Sequence, residues 1–158
     1  MSTVYVETTI VSYLTARPSR DVVLAAHQRL TRDWWKGRTA YELWVSQLVL
    51  DEAAAGDQVV RARRLRALRG IPVLSLTDAA TRLARALVRQ GALPKRATVD
   101  AFHIGIAAAH EVNYLLTWNC KHLANAAMRG TIEIVCRSEG LMPPIICTPE
   151  ELPARKTS

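Results

Sequence analysis

The sequence has 158 residues, a length that suits one domain with a single hydrophobic core. Apolar residues make up 49% and charged residues 22%, an ordinary globular balance that argues against a disordered chain. The net charge of +7 favours polyanionic or acidic partners, and no apolar run reaches the roughly 20 residues that a membrane-spanning helix needs.

The amino-terminal segment lacks the features of a secretory signal, because Met1 to Glu7 has no basic region and places an acid in the would-be apolar part. The three cysteines are Cys120, Cys136 and Cys147. Their odd number and the lack of a CxxC pair favour free thiols in a reducing compartment. A zinc site of Cys120, His122 and His110 fits none of the usual spacings. We therefore expect a cytoplasmic protein that does not associate with membranes.

Short β-branched and aromatic runs alternate with amphipathic segments in the first half of the chain. Residues 3–6 predict a buried strand, and a short helix then runs to Leu14, with Thr8 or Thr9 as its cap. The next predicted elements are a helix from Asp21 to Gly37, a strand over Glu42–Ser46, a helix to Ala55, an arginine-rich helix from Gly56-Asp57 to Arg69, and a strand over Ile71–Leu76.

The second half continues this alternation. Thr77 and Asp78 cap an amphipathic helix that runs to Gln90, and Gly91 and Pro94 then interrupt the chain. The remaining predicted elements are a mostly buried helix over Thr98–His110, a strand over Tyr114–Thr117, a helix over Asn119–Met128, a strand over Thr131–Val135, and a short strand at Ile145-Ile146.

This order of elements predicts βαβ units with helices on both faces of a sheet. We therefore expect an α/β fold with three layers, α/β/α, around a mostly parallel central sheet. Residues 1–150 would form a single domain, and the polar residues 151–158 a loose tail.

Acidic and amide side chains follow the predicted strands. Glu7 ends the first strand, and Glu52 lies in the helix after the second. Asp100 opens the alanine-rich helix, and Asn119 follows the strand that ends at Thr117. The crevice of an open α/β sheet lies at the carboxyl ends of its strands, so these side chains are candidates for one pocket. Clustered carboxylates need a cation, and oxygen ligands suit Mg²⁺ or Mn²⁺, which can activate a water against a phosphodiester.

Each acid also has a purely structural interpretation, which is favoured when that acid is taken alone. Glu7 could be an acid stabilised by the helix dipole, and Glu52 an exposed helix residue. Asp100 could be a first-turn acid or a buried salt-bridge partner. The order and context of the acids together favour a functional site.

Four segments carry a likeness to a known family. In chain order they are Val4–Leu14, Ser46–Glu52, Asp100–Ala109 and Tyr114–Asn119. They resemble the PIN-domain family and, within it, the VapC-like ribonuclease toxins of type II toxin–antitoxin operons. The likeness spans about residues 3 to 135. It implies a PIN-like fold, an endoribonuclease that depends on Mg²⁺ or Mn²⁺ and cleaves RNA, a small cognate antitoxin that wraps the toxin, and a homodimer.

The resemblance also assigns roles to residues. Thr8 and Thr117 would each place a hydroxyl beside an acid or a metal-bound water and hold it in position. Glu52 would orient water or contact a metal ligand without binding the metal itself. The implied catalytic residues are Glu7, Thr8, Glu52, Asp100, Thr117 and Asn119, of which Glu7, Asp100 and Asn119 would be the metal ligands.

Three positions depart from the family pattern. Glu7 stands where aspartate is usual, Asn119 where aspartate is common, and Lys121 where another acid is often found. The pocket would hold three formal negative charges, which weakens any second metal site. The departures allow a weak nuclease, a strict one-metal nuclease or a catalytically silent relative, and a working enzyme is favoured. Two rival functions stay open: a catalytically weakened PIN-fold module that binds RNA or protein, and a metal-dependent DNA nuclease.

Other motifs narrow the choice. The seven scattered glycines form no phosphate-binding loop, and a Gly-x-Ser-x-Gly elbow is absent, which disfavours an NTPase or a serine hydrolase. The run Arg61–Arg69 is either a solvated helix face or a surface for phosphate backbones. His103, one turn after Asp100, is better explained as a packed histidine than as a proton carrier. Trp34, Trp35 and Trp44 are assigned to packing or dimerisation.

Overall fold

The computed structural model describes residues 1–153. The strands are β1 (Thr3–Val6), β2 (Glu42–Ser46), β3 (Val73–Leu74), β4 (Tyr114–Leu116) and β5 (Ile145–Cys147). The α-helices are α1 (Thr8–Thr15), α2 (Val22–Lys36), α3 (Gln47–Ala53), α4 (Gln58–Leu68), α5 (Asp78–Arg89), α6 (Thr98–Ala109) and α7 (Ala126–Ser138). No helix of residues 1–153 is long and apolar enough to cross a membrane.

The five strands form one parallel sheet in the order β3-β2-β1-β4-β5. Strand β1 lies at the centre, where Val4 pairs with Leu43 of β2 and with Tyr114 of β4. Its residues Val4 to Val6 are fully buried, as expected for a strand covered on both faces. The strand order reverses between β1 and β4, and crevices of parallel sheets open at such switch points.

Two groups of helices cover the sheet and complete a three-layer α/β/α fold. Helix α1 packs against α2, α3 and α4, whereas α5 packs against α6 and α7. The contact between α5 and α6 is especially close, because a Cβ atom at Gly105 would overlap the carbonyl oxygen of Ala80. This close contact fixes α6, which carries Asp100 and His103, against its neighbour.

Two predicted elements near the carboxyl end are wrong. The expected helix over Asn119–Met128 and the expected strand over Thr131–Val135 are replaced by turns and by α7. The side chain of Asn119 accepts a hydrogen bond from the His122 backbone, and Asn125 caps α7 instead. The residues that α7 buries are spaced as on one face of a helix, so periodicity overrides the β-branched composition.

Smaller differences concern the ends of elements. Strand β3 is limited to Val73–Leu74, shorter than the Ile71–Leu76 expected. The N-cap of α1 is Glu7, and its side chain makes no capping bond. Residues 154–158 of the expected tail lie outside the described residues, and Leu152 just before them is buried.

Candidate metal centre

Glu7 lies at the switch point of the sheet, directly after β1. Its backbone N–H donates to Leu116 O at 3.1 Å, which extends the pairing of β1 with β4. Only 3% of the residue is exposed. Its Oε1 atom accepts hydrogen bonds from Thr9 Oγ1 at 2.5 Å and Thr117 Oγ1 at 2.6 Å. A buried carboxylate is thus held by two hydroxyl donors.

The two threonines are themselves oriented by the backbone. Thr9 Oγ1 accepts from the Trp118 N–H at 2.8 Å, and Thr117 Oγ1 accepts from the Asn119 N–H at 2.9 Å. A hydroxyl has one hydrogen to donate, so accepting from the backbone leaves that hydrogen for Glu7. The carboxylate position is therefore set by the turn that follows β4.

Glu52 reaches the same place from α3. Its Oε1 atom accepts from Thr8 Oγ1 at 2.6 Å and lies 2.8 Å from His103 Nε2. Burial raises the pKa of Glu52, but the hydrogen bonds from His103 and from the Thr8 hydroxyl outweigh it and bring the pKa below its usual value. Thr8 and Thr117, expected as hydroxyl neighbours of an acid, thus each donate to one glutamate.

Glu7, Glu52 and His103 form a group in which one potential ligand atom of each lies within 4.8 Å of the others. In each glutamate, Oε1 takes both hydrogen bonds, and among the described residues Oε2 takes none. Two nearby carboxylates repel each other unless a cation or proton lies between them. The carboxylate pair therefore suits a hard divalent cation such as Mg²⁺ or Mn²⁺.

Asp100 is not part of this group within residues 1–153. Asp100 and Asn119 both contact His122. Asp100 Oδ2 lies 3.1 Å from His122 Nδ1, and Asn119 Oδ1 accepts from the His122 backbone N–H at 3.0 Å. Asp100 precedes His103 by one helical turn, which puts both on the same face of α6. Lys121 is exposed.

Sequence reasoning missed part of this arrangement. His103, interpreted as a packing residue, is fully buried and also contacts Glu52. Tyr5 was assigned only to a buried strand, and its hydroxyl lies 2.7 Å from both His103 Nδ1 and Ser46 Oγ. A tyrosine in the middle of an otherwise aliphatic central strand is the signal that identifies a buried polar contact, since its hydroxyl needs a partner.

Two of the tryptophans make packing contacts with other rings. Trp118 stacks on His27 with ring centroids 4.0 Å apart, and its Nε1 donates to Thr31 Oγ1 at 2.7 Å. Trp34 is buried against Tyr41, a packing role. His110, named above in the zinc site of unusual spacing, has its Nε2 atom 2.8 Å from the Ser75 carbonyl oxygen.

The arginine-rich helix α4 packs against the two helices that carry Thr8 and Glu52. Arg64 Nη1 donates to the Ala55 carbonyl oxygen at 2.9 Å, just beyond the end of α3. The exposed arginines of this segment are Arg61, Arg66 and Arg69. Within the described chain none of them forms a salt bridge, so this surface keeps its positive charge.

Comparison with solved structures identifies the fold. A chain of the crystal structure of VapBC2 from Rickettsia felis, bound to a DNA fragment from its promoter, superposes with a TM-score of 0.55 and 13% identity. The match covers 92% of this chain and 98% of that one. The fold is PIN-like.

A second structure, VapBC-5 of the VapBC family of toxin–antitoxin systems from Mycobacterium tuberculosis, gives a TM-score of 0.47 and 17% identity, over 75% of this chain and 86% of that one. This likeness is too low to support a conclusion. No protein-family model and no curated protein matches the sequence. The PIN-like fold puts the carboxyl ends of β1, β2 and β4 beside one another, where Glu7, Ser46 and Thr117 lie.

Proposed function

We propose that this protein is an endoribonuclease that depends on Mg²⁺ or Mn²⁺ and hydrolyses RNA phosphodiester bonds. The observation that carries the proposal is the pair of buried or half-buried carboxylates, Glu7 and Glu52, each with one oxygen fixed and one spare. Such a pair within a chain of charge +7 suits a cation that meets a polyanion.

The chain's residues divide the work in this proposal. Glu7 and Glu52 would hold the cation through carboxylate oxygens, and Asp100 and Asn119 would complete the site from the same end of the sheet. A bound Mg²⁺ or Mn²⁺ offsets charge that develops on the phosphodiester and lowers the pKa of a coordinated water. Thr9 and Thr117 keep Glu7 in position, and Thr8 keeps Glu52 in position. Water adds to phosphorus as one backbone P–O bond breaks.

The experiment measures cleavage of single-stranded RNA and of single-stranded DNA of the same sequence, with Mn²⁺, with Mg²⁺ and with EDTA. We expect RNA cleavage that EDTA stops and that either cation restores. Cleavage that persists in EDTA contradicts the metal mechanism, and equal cleavage of DNA favours a general nuclease.

Asp100→Asn tests the acid next to the glutamate pair. We expect the variant to lose RNA cleavage with its far-ultraviolet circular dichroism unchanged, because the amide keeps the volume and loses the charge. Unchanged cleavage would remove Asp100 from the site.

One observation favours the rival function, a module that binds RNA or protein without cleaving it. Asn119 supplies an amide where the family commonly has an acid. Titration calorimetry with Mn²⁺ separates the two functions. A nuclease needs a saturable site, and a binding module shows RNA affinity with no saturable Mn²⁺ binding.

We propose further that the protein acts in the cytoplasm as the toxin of a toxin–antitoxin pair, with a cognate antitoxin and as a homodimer. The family resemblance of the four sequence segments supports this proposal. Expression alone would then arrest growth, and co-expression of a neighbouring antitoxin gene would restore it. Light scattering of the purified protein would give the mass of two chains, and the mass of one chain would refute the dimer.

A further inference from the structure

Three polar side chains, Ser46, Tyr5 and His103, form a continuous series of hydrogen bonds that ends at Glu52. Ser46 Oγ and Tyr5 OH lie 2.7 Å apart, and Tyr5 OH and His103 Nδ1 lie 2.7 Å apart. His103 Nε2 then lies 2.8 Å from Glu52 Oε1. Ser46, Tyr5 and His103 are almost fully buried, so each of their polar hydrogens needs a partner within the protein.

The direction of donation follows from the two ends of this chain. An ionised Glu52 can only accept, so the hydrogen between Glu52 and His103 belongs to Nε2. At the other end, Ser46 Oγ accepts from the Val49 N–H at 3.3 Å, as the N-cap of α3. The Ser46 hydrogen then has Tyr5 as its acceptor, and the Tyr5 hydrogen goes to His103 Nδ1. The reverse order leaves the buried Ser46 hydrogen without an acceptor among the described residues.

Tyr5 suits this role chemically. Burial raises the pKa of its hydroxyl, the Ser46 hydrogen bond lowers it, and the charges of Glu7 and Glu52 raise it, with a net increase. An ordinary phenol already keeps its hydrogen at neutral pH, so Tyr5 can donate to His103. Its ring also packs edge-on against the imidazole, with centroids 5.7 Å apart.

We propose that His103 is a positioning residue and not a metal ligand: Ser46 and Tyr5 fix its ring so that Nε2–H holds Glu52 Oε1 and leaves Oε2 for the cation. The part that concerns the cation rests on the proposed function, whereas the hydrogen-bond order does not. These hydrogen bonds connect residues of β1, β2 and α6, so they link the position of Glu52 to the centre of the sheet.

The first test is nitrogen-15 NMR of the metal-free protein, which distinguishes the two imidazole nitrogens. We expect His103 to carry its hydrogen on Nε2, with Nδ1 as an acceptor. Tyr5→Phe removes the donor to Nδ1 and should shift the Nδ1 resonance. A hydrogen on Nδ1 in the wild type would overturn the proposal whether or not the protein binds metal.

Tyr41→Phe is the matched control, because the Tyr41 hydroxyl donates to the Pro153 carbonyl oxygen at the other end of the sheet. It should leave the His103 resonances unchanged. If Tyr41→Phe shifted the His103 resonances as much as Tyr5→Phe does, the shift would not report the hydrogen bond between Tyr5 and His103. That result would contradict the proposed hydrogen-bond order.

The second test uses Mn²⁺ alone. We expect Tyr5→Phe to bind Mn²⁺ about 10- to 100-fold more weakly than wild type, the range found when partners that support metal ligands are lost. Pulsed EPR of the Mn²⁺ protein should show no directly bonded nitrogen. A directly bonded imidazole nitrogen would make His103 a ligand and refute the positioning role.

Two substitutions of His103 complete the comparison. Glutamine has both an acceptor and a donor, so His103→Gln should retain most of the Mn²⁺ affinity, whereas His103→Leu should lose it. If both variants lose it equally, the imidazole itself is required and the proposal fails. If wild type binds no Mn²⁺ while NMR gives hydrogen on Nε2, the proposed function fails and the hydrogen-bond order stands.

Discussion

The glutamate pair at the end of β1, Glu7 and Glu52, and the exposed arginines of the α4 segment place charge in opposite ways. At the end of β1, Glu7 and Glu52 each accept two hydrogen bonds from side chains, and the donors Thr117, Thr8 and His103 lie on other elements than the acid they contact. Arg61 and Arg66 on α4 and Arg69 directly after it are exposed, with no acid within salt-bridge distance among the described residues.

The difference indicates two separate roles for charge. A site for chemistry needs fixed oxygens at short range, which only packed and hydrogen-bonded side chains supply. A surface that gathers a polyanion needs positive charge at long range and tolerates mobile side chains. Changes in the pocket should therefore affect metal binding and rate, and changes on α4 should affect substrate binding and its salt dependence.

The largest expected effect is that of Glu7→Gln. The amide keeps the volume and can still accept from Thr9 and Thr117, but it removes the charge that a cation needs. We expect RNA cleavage to fall more than about 100-fold, beyond the 10- to 100-fold typical of residues that only support a ligand. Single-turnover cleavage at saturating RNA measures this loss.

Glu42→Gln is the matched control, because Glu42 is exposed at the opposite end of β2. It should cleave RNA at the wild-type rate. If Glu7→Gln also does so, the carboxylate pair is not the reaction centre.

The next largest effect is expected on stability, from a change in α6, the helix that carries Asp100 and His103. A Cβ atom at Gly105 would overlap the Ala80 carbonyl oxygen and lie 3.2 Å from its carbon, so Gly105→Ala should force α5 and α6 apart. We expect the free energy of unfolding to fall by about 1–3 kcal/mol, the usual cost of overpacking. Urea denaturation measures this change.

Gly130→Ala is its control on α7, where an added Cβ would meet no atom within 4 Å. Alanine is the better helix former, so stability should rise by about 0.5–1 kcal/mol. Equal effects of the two changes would show that the α5–α6 contact is not tight.

On α4, the double variant Arg66→Gln/Arg69→Gln should weaken RNA binding without changing the single-turnover rate. If both arginines contact phosphates, the slope of log affinity against log salt should fall by about 1.4 for a single strand. Arg29→Gln is the control, because Arg29 lies 4.0 Å from Asp33 and already has an acidic neighbour. A slope that does not change would make α4 a solvated face only.

The smallest effect concerns the thiols. Burial raises the pKa of Cys136 to about 11 and of Cys147 to about 12, and both side chains are inaccessible. Cys120 is exposed beside the pocket. A thiol reagent at neutral pH should therefore modify Cys120 alone in the folded protein and all three after unfolding, as counted by mass spectrometry. Rapid labelling of all three in the native state would contradict the packing of α7 and β5.

Most of the fold follows from periodicity in the sequence. Capping residues such as Asp21 and Thr77 mark the starts of α2 and α5, and both make the expected side-chain bonds. The start of the helix after β4 cannot be predicted from periodicity, because Asn119 and Asn125 are equally good cap residues by type. Only the burial of one face of α7 decides between them.

The site is less accessible from sequence than the fold. Glu7 and Glu52 could be proposed from their places after strands, and the structure brings them together. The contact of His103 with Glu52 depends on the rotation of α6 about its axis, which Gly105 and the α5 contact set. Asp100, on the same face, is then within reach of His122. Tertiary packing of this kind leaves little trace in local sequence.

The bond between Glu7 and Thr117 joins residues that are 110 positions apart. At roughly 5–20 residues per second, a ribosome adds the hydroxyl about 5 to 20 seconds after the carboxylate. A nascent chain therefore carries Glu7 long before it can hold that acid in place. Under the proposed function, hydrolytic competence would then require synthesis of the chain past Thr117.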